Sequence, residues 1–554
     1  MNTFAAKMGN LPGLKWGLFC LLSSMLLGVF DLRAAAHPKN LPVVPKWERF
    51  EHEFSSFADY EHPLQDVRLT VQFTSPLGET TRIDGFWDGG RTWRVRFSPN
   101  QPGRWKFKST CSDAANLGLN DQTGEFMCSA TLSQSRFYQH GLIRVALDRQ
   151  HLEHADGTPF FWLADTAWNG ARESDPKNWE IYALVRSSQN FSVAQWSAAP
   201  GVDDKGQSAL TGFPDRIGVN PDYFRRIDSK IAILSQVGIL SAIAPLTPAS
   251  PEASALPDDQ AALLVRYVVA RWGADPVAWL FPVEKGSREM GRWRKICHEV
   301  FAGAPHAPVL VYSTDDPQVL TQFGIEDWVD LLGFQVPLRS QDESLVSALG
   351  GAAHAIGSKS LPHPLIGFTP TENAPSTQAG QRISAAQIRQ SAYGGLLSGQ
   401  VTGISYGGHG VANWDTTVEP KAEDKLGAGL PLWHKSMFMP GAKQMGHIAN
   451  VLSAVDFWQL RPEPKLIAGA SNAAQVARKV LAASTPGKGL ALVYVAEDRM
   501  LELAEDQLPH VPAVTWYNPR RGENSPAVAV VVQHTCQFPT PEPGDWLLML
   551  KAGK

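Results

Sequence analysis

Two glutamates each stand just past a short apolar run. Glu284 closes Val277-Ala-Trp-Leu-Phe-Pro-Val-Glu284, and Glu372 closes Pro364-Leu-Ile-Gly-Phe-Thr-Pro-Thr-Glu372. A pair of carboxylates is what glycosidic-bond hydrolysis requires. One carboxyl protonates the leaving oxygen, and the other attacks the anomeric carbon or activates water. Retention needs a separation of about 5 Å and inversion roughly 6.5–9.5 Å. Asp165, Trp168, Gln195, Trp196, Gln335, Thr369, Tyr406, His409 and Trp414 stand at the ends of other apolar runs, where they would line a sugar pocket. Aromatic rings there would stack on the sugar. Each position also has a plainer use. Asp165 ahead of Thr166-Ala-Trp168 suits a helix cap as well as a sugar contact. Glu284 beside Lys285 suits an ion pair at a helix start, and Glu372 suits a solvated loop.

Chemistry at the ends of buried strands implies a β/α barrel, which exposes its reactive groups at the C-terminal ends of its strands. Eight strand-then-helix units are expected between 132 and 460. Their strands fall near Phe160–Leu163, Phe191–Trp196, Ile239–Pro245, Val277–Pro282, Val309–Ser313, Leu331–Gln335, Pro364–Phe368 and Gly403–Gly407. Helical spacing shows in Phe224, Ile227, Ile231 and Leu234, which end at Gly238, and in Met290, Trp293, Ile296 and Val300. On either side the pattern changes to period two. Val67–Phe73, Trp93–Phe97 and Trp105–Phe107 alternate between turns at Asp88-Gly-Gly90 and Asn100-Gln-Pro-Gly103, which predicts a β-sandwich over 37–131. Leu490–Val495, Val511–Tyr517, Ala527–Val532 and Trp546–Leu550 predict a second sandwich over 461–554. The expected architecture is a central (β/α)8 TIM barrel flanked by two small antiparallel β-sandwich domains.

With 44% hydrophobic and 19% charged residues, the 554-residue chain has enough apolar content for packed cores in two to four domains. Residues 1–36 read as a secretory signal peptide. Lys7 and Lys15 precede the apolar Trp16–Phe30, and Ala34-Ala-Ala36 offers a cleavage site. A secreted or periplasmic protein without an integral membrane segment after cleavage is therefore expected. Removing that segment takes away Lys7, Lys15, Arg33 and Asp31, and the formal charge moves from −4 to −6. This gives no electrostatic case for nucleic acid. Cys111 and Cys128 are candidates for a disulfide in an oxidising compartment, whereas Cys297 reads as a buried thiol. No CxxC or His-rich cluster suggests a metal, and no cofactor is expected.

Several segments together resemble the apiosidase-like glycoside hydrolases. They are Phe161-Trp-Leu-Ala-Asp-Thr-Ala-Trp168, Tyr223-Phe-Arg-Arg-Ile-Asp228, Val277-Ala-Trp-Leu280, Tyr393-Gly-Gly-Leu-Leu-Ser-Gly399, Ser405-Tyr-Gly-Gly-His-Gly410 and Pro440-Gly-Ala-Lys-Gln-Met445. The resemblance implies a (β/α)8 catalytic domain, a preceding β-sandwich and a C-terminal sandwich named for collagen binding. It also implies a retaining pair of carboxylates and a founding activity on apiose in pectic side chains. The family's acid/base closes a Trp-x-x-Gly-Gly-Asp segment, and that position is Glu284 here. The family's nucleophile is a Glu before Pro, whereas Thr369 precedes Pro370 here. The family's Gln-Ser-Gly-His reads Gln335-Val-Pro-Leu338. The scaffold motifs persist while the mouth departs. Two readings result: a hydrolase using Glu284 and Glu372 on polysaccharide-derived oligosaccharides, or a catalytically degenerate barrel acting as a carbohydrate-binding or cell-surface protein.

Overall fold

A computed structural model describes residues 41–246, 251–283, 287–313, 320, 322–336, 363–375, 381–398, 401–417, 431–468, 480–497, 499–510 and 512–553. The signal-like residues 1–36 and Glu284 lie outside the described residues. At the centre is a closed parallel barrel. Its strands are β1 (Trp162–Thr166), β2 (Val193–Ser197), β3 (Leu240–Ala244), β4 (Val277–Pro282), β5 (Val309–Ser313), β6 (Leu331–Gln335), β7 (Leu365–Glu372) and β8 (Val401–Gly408). They follow chain order around the barrel, and β8 pairs back on β1. The main surrounding helices are α1 (Pro176–Ser188), α2 (Pro221–Gln236), α3 (Asp258–Trp272), α4 (Ser287–Phe301), α5 (Ala385–Ser398) and α6 (Pro440–Leu452).

Side chains on a strand alternate between its two faces. In the barrel this separates two cores. Trp162, Ala164, Val193, Ala242, Ala278, Leu280, Leu310, Tyr312, Ile366 and Phe368 fill the interior. Leu163, Ala194, Trp196, Ile243, Trp279, Val311, Ile404 and Tyr406 face the helices. The apolar stripe on α2 does what its spacing predicts: Phe224, Ile227, Ile231 and Leu234 are buried. Asn220 caps this helix by accepting from the Asp222 and Tyr223 backbone N–H groups. The first strand differs from its expected bounds. Pro159–Phe160 belongs to a separate three-stranded sheet with Ile143–Val145 and Leu152–His154. Phe160 and Leu152 join the interior cluster next to Trp162, at the end where the strands begin. Strand β1 then continues to Thr166, so Asp165 lies within a strand and not beyond it.

The N-terminal sandwich packs a five-stranded sheet against a three-stranded one around Phe50, Phe73, Trp93, Phe107 and Phe126. Its pairings are antiparallel except that Val43–Pro45 runs parallel to Thr123–Ser129. The C-terminal module has sheets of six and three strands around Trp516, Phe538 and Trp546. The expected Cys111–Cys128 disulfide is absent, and both are buried free thiols. Register explains this. Cys128 pairs opposite Gly103, at the far end of the strand Gly103–Cys111. Eight residues of strand separate the two positions by roughly 26 Å, whereas a disulfide needs Cα atoms within about 7 Å.

Both modules are fixed to the barrel's helices by buried charge. Arg96 of the N-terminal sandwich donates to Asp228 on α2 at 3.0 and 2.7 Å. Arg271 on α3 donates to the same carboxylate at 3.0 and 2.8 Å and to Asp88 at 2.9 Å. The Trp272 indole N–H also donates to Asp228, at 2.7 Å. On the other side, Arg389 of α5 forms a two-point pair with Asp545, both bonds 2.8 Å. Tyr494 O–H donates to the same carboxylate at 2.8 Å, and its ring stacks on Tyr393 of α5.

Candidate active site at the mouth of the barrel

The alternation that builds the two cores also decides which residues can meet a ligand at the C-terminal end of the barrel. Gln195 shares the inward face of β2 with Val193, and it is fully buried. Its Oε1 accepts from Ser405 Oγ at 2.6 Å, while its Nε2 has no partner among the described residues. Above the interior core, Trp168 stacks on Tyr312 (centroids 6.3 Å, planes 12° apart), and Tyr312 stacks on Phe368 (4.5 Å, 16°). Trp168 is half-buried, so this row of rings ends in a partly open one. Gly333 makes the row feasible. A Cβ there would sit 2.7 Å from the Phe368 ring and 2.8 Å from Tyr312 Cβ. Gln335 ends β6 half-buried. A graded aromatic surface beside side-chain amides and a hydroxyl is suited to hold a sugar ring by its C–H face and its hydroxyl edge.

Four expected pocket residues are elsewhere, and each requires a correction. Asp165 faces outward from β1, fully buried, and accepts from Tyr182 O–H at 2.9 Å and Arg186 Nε at 2.7 Å, both on α1. Burial raises its pKa, and the Arg186 charge opposes that rise. It therefore serves neither as a helix cap nor as a ligand to sugar. Trp196 faces outward and packs edge-on against Trp272, 5.7 Å between centroids. Tyr406 faces outward and donates to Glu372 Oε2 at 2.6 Å. Trp414 is buried, stacks on Trp433 at 4.2 Å and lies 5.8 Å from Trp179 and Tyr182, anchoring the loop after β8 onto α1. His409, in the same loop, is half-buried, and its backbone N–H donates to the Glu372 carbonyl at 2.9 Å.

Glu372 is the larger surprise. Ile366 and Phe368 point inward on β7, and unbroken alternation would aim Glu372 inward as well. Pro370 cannot donate to a ladder, and the β7–β8 register shifts between Phe368 and Thr371. The shift reverses the facing of the residues beyond it. Glu372 is buried in the outer layer, where it accepts from Tyr406 O–H and, at 3.1 Å, from the Gly441 backbone N–H in the first turn of α6. A carboxylate at a helix N-terminus satisfies a free donor and the helix dipole. Burial raises its pKa, opposed by the bonds from Tyr406 and Gly441. A nucleophile needs an open approach to the anomeric carbon, and this carboxylate is occupied inside the protein. Thr369, the residue before Pro370, is buried and donates from Oγ1 to the Ser405 carbonyl at 3.2 Å.

The contact also explains why position 441 is glycine. A Cβ there would lie 2.3 Å from Glu372 Oε2. Gly441→Ala should therefore displace the carboxylate and cost about 1–3 kcal/mol, the usual range for overpacking. The urea midpoint of the purified variant would show this, and a loss below about 0.5 kcal/mol would mean that Glu372 does not hold α6.

Among the described residues no group of three His, Cys, Asp or Glu side chains is placed to hold a metal ion. No described helix is long and apolar enough to cross a membrane. Sequence reasoning missed Tyr312, Phe368 and Ser405 as mouth residues. Counting by twos from Ile366 and Gly403 would have found Phe368 and Ser405.

An eight-stranded parallel barrel between two β-modules, with a graded aromatic mouth, defines a glycoside-hydrolase-like class of protein. Comparison with known proteins gives the family. The model "Apiosidase-like, catalytic domain" matches residues 147–459, over half of the chain, and the chain belongs to that family. A domain of unknown function, DUF5060, matches residues 43–112. The "Putative collagen-binding domain of a collagenase" matches residues 462–551. Among solved structures, a "putative glycoside hydrolase" from Bacteroides vulgatus is 16% identical, with a TM-score of 0.68, covering 92% of this chain and 99% of its own. A family 5 glycoside hydrolase from the same organism is 18% identical, with a TM-score of 0.65, covering 75% of this chain and 94% of its own. A third structure, titled "Glycoside hydrolase", is 17% identical, with a TM-score of 0.66 and coverage of 76% and 99%. At these identities the likeness is one of fold. No curated protein sequence matches the chain.

Proposed function

We propose that the protein is a secreted glycoside hydrolase acting on polysaccharide-derived oligosaccharides, with Glu284 as its acid/base. The observation that carries the reading is the ring row Trp168–Tyr312–Phe368 at the barrel mouth, together with the Gln195 amide on the inward face of β2. Glu284 belongs to the reading by its place after β4, the strand position at which the family carries its acid/base. Secretion is supported by the signal-like segment 1–36. A second reading is favoured by one specific observation. Glu372 is engaged by Tyr406 and Gly441, and the Thr369 hydroxyl is turned to Ser405. On that reading the barrel binds sugar without turning it over.

One experiment separates the two. Purified wild type, Glu284→Gln and Trp168→Ala are offered apiose-bearing pectic fragments and neutral plant oligosaccharides, with sugar release and binding heat both recorded. For the hydrolase, Glu284→Gln lowers kcat about 10²–10⁴-fold, the usual worth of a general acid. Trp168→Ala weakens binding about tenfold, roughly 1.4 kcal/mol. Binding by the wild type with no sugar release from any substrate would establish the second reading. Turnover that survives Glu284→Gln unchanged would remove Glu284 from the mechanism.

A further inference from the structure

A cleft of about 580 Å³ lies away from the barrel mouth, between the N-terminal sandwich and the end of the barrel where strands begin. Its barrel wall comes from the end of α3, the turn leading into β4 and the segment after α4. Its other wall comes from the sandwich, from the strand Thr80–Asp84 together with Arg68, Thr70 and the segment from Arg96 to Asn100. That strand lies at one edge of its five-stranded sheet, and its outer side pairs with no other strand among the described residues. The size is that of a small-ligand site, about 300–1,000 Å³. Val269, Ala270 and Ala274 of the barrel wall are small and apolar. Arg82, Asp84 and Asn100 of the sandwich wall carry planar hydrogen-bonding groups. Arg68 lies across Asp84 at 3.0 Å, so the cations on this wall are partly balanced by carboxylate. Trp279, also part of the lining, is fully buried, and its indole N–H has no acceptor among the described residues.

The barrel wall also carries Arg266 and Asp275, so both walls mix the two signs of charge, and the lining does not select a strongly anionic or cationic ligand. The arrangement matches a neutral pyranose, which has an apolar C–H face and an edge of hydroxyls. We propose that this cleft is a second saccharide site, for a short neutral oligosaccharide, on the face of the barrel opposite the mouth. The choice of sugar as the ligand rests on the hydrolase reading; the cleft itself does not. A chain held here would be retained by the enzyme while another stretch of the polysaccharide occupies the mouth.

The test uses the full-length protein and three probes, cellotetraose, xylotetraose and mannotetraose, each titrated calorimetrically to about 10 mM. The variants are Ala304→Trp, which fills the cleft from an exposed lining position, Arg82→Ala on the opposite wall, and Trp168→Ala at the mouth. At least one probe is expected to show, apart from binding at the mouth, a second binding component that Trp168→Ala leaves within about twofold. Ala304→Trp should weaken that binding about tenfold or more, and Arg82→Ala about threefold. Should Ala304→Trp fail to fold by circular dichroism, the Arg82→Ala result decides alone. The proposal falls if none of the three probes binds, or if binding survives both cleft variants and is lost only with Trp168→Ala. Sugar release, measured separately, reports on the hydrolase reading, so either idea can fail without the other.

Discussion

Asp228→Asn should cost about 3–5 kcal/mol, because it removes the shared negative charge from a buried cluster of ions. Arg271 is fully buried and Arg96 nearly so, and both hold their guanidinium groups on this carboxylate. Asparagine keeps the shape and loses the charge, leaving two buried cations with Asp88 and Glu51 as their remaining partners. Burial alone would raise the Asp228 carboxyl, but the bonds from Arg96 and the charge of Arg271 hold it far below the usual range. A depressed carboxyl adds stability that is fully present above its unfolded pKa, near 4, and that is lost as pH falls toward the folded value. The gap between wild type and Asp228→Asn should therefore be full at pH 7 and narrow steadily below about pH 4. Guanidinium unfolding at pH 7 and at pH 3 measures it. A gap that does not change between those pH values would mean that the charge of Asp228 is not what joins the sandwich to the barrel.

Asp165→Leu should be about as damaging, again roughly 3–5 kcal/mol, for a different reason. Arg186 has no exposure, and its other bonds go to neutral acceptors, Gln189 Oε1 at 2.7 Å and the Met437 carbonyl at 2.8 Å. Removing the carboxylate strands a full charge between β1 and α1. Replacing both members by apolar residues of similar size is often neutral or better. The double variant Asp165→Leu/Arg186→Met should thus be more stable than Asp165→Leu alone. A double-mutant cycle in urea reads the coupling. If the two losses simply add, the pair is not a unit.

These two carboxylates show where sequence reading succeeds and where it stops. The apolar runs Val277–Pro282, Val309–Ser313 and Leu331–Gln335 fall on the observed strands residue for residue, because buried parallel strands are short and continuously apolar. That same continuity hides which face each residue takes. Asp165, Trp196 and Tyr406 stand at the right height in the barrel and on the wrong side of its wall. For Glu372 even careful counting fails, since one register shift at Pro370 exchanges inside for outside. The cluster around Asp228 was beyond reach for another reason. Its members are 132, 175 and 183 residues apart along the chain, and nothing local marks an arginine as the partner of a distant aspartate.

The attachment of the two outer modules has a consequence for building chimeras. Each junction is a lock whose halves are written in different domains: Arg96 and Asp88 in one, Asp228 and Arg271 in the other; Asp545 and Tyr494 in one, Arg389 in the other. A sandwich transplanted from a protein that lacks these charges would arrive with half a lock and set a desolvated ion against a surface with no answering charge. Domain exchange in this architecture should succeed when the acceptor's α2, α3 or α5 positions are transplanted with the module. A graft cut cleanly at the domain boundary should fold poorly, however well its own core is packed.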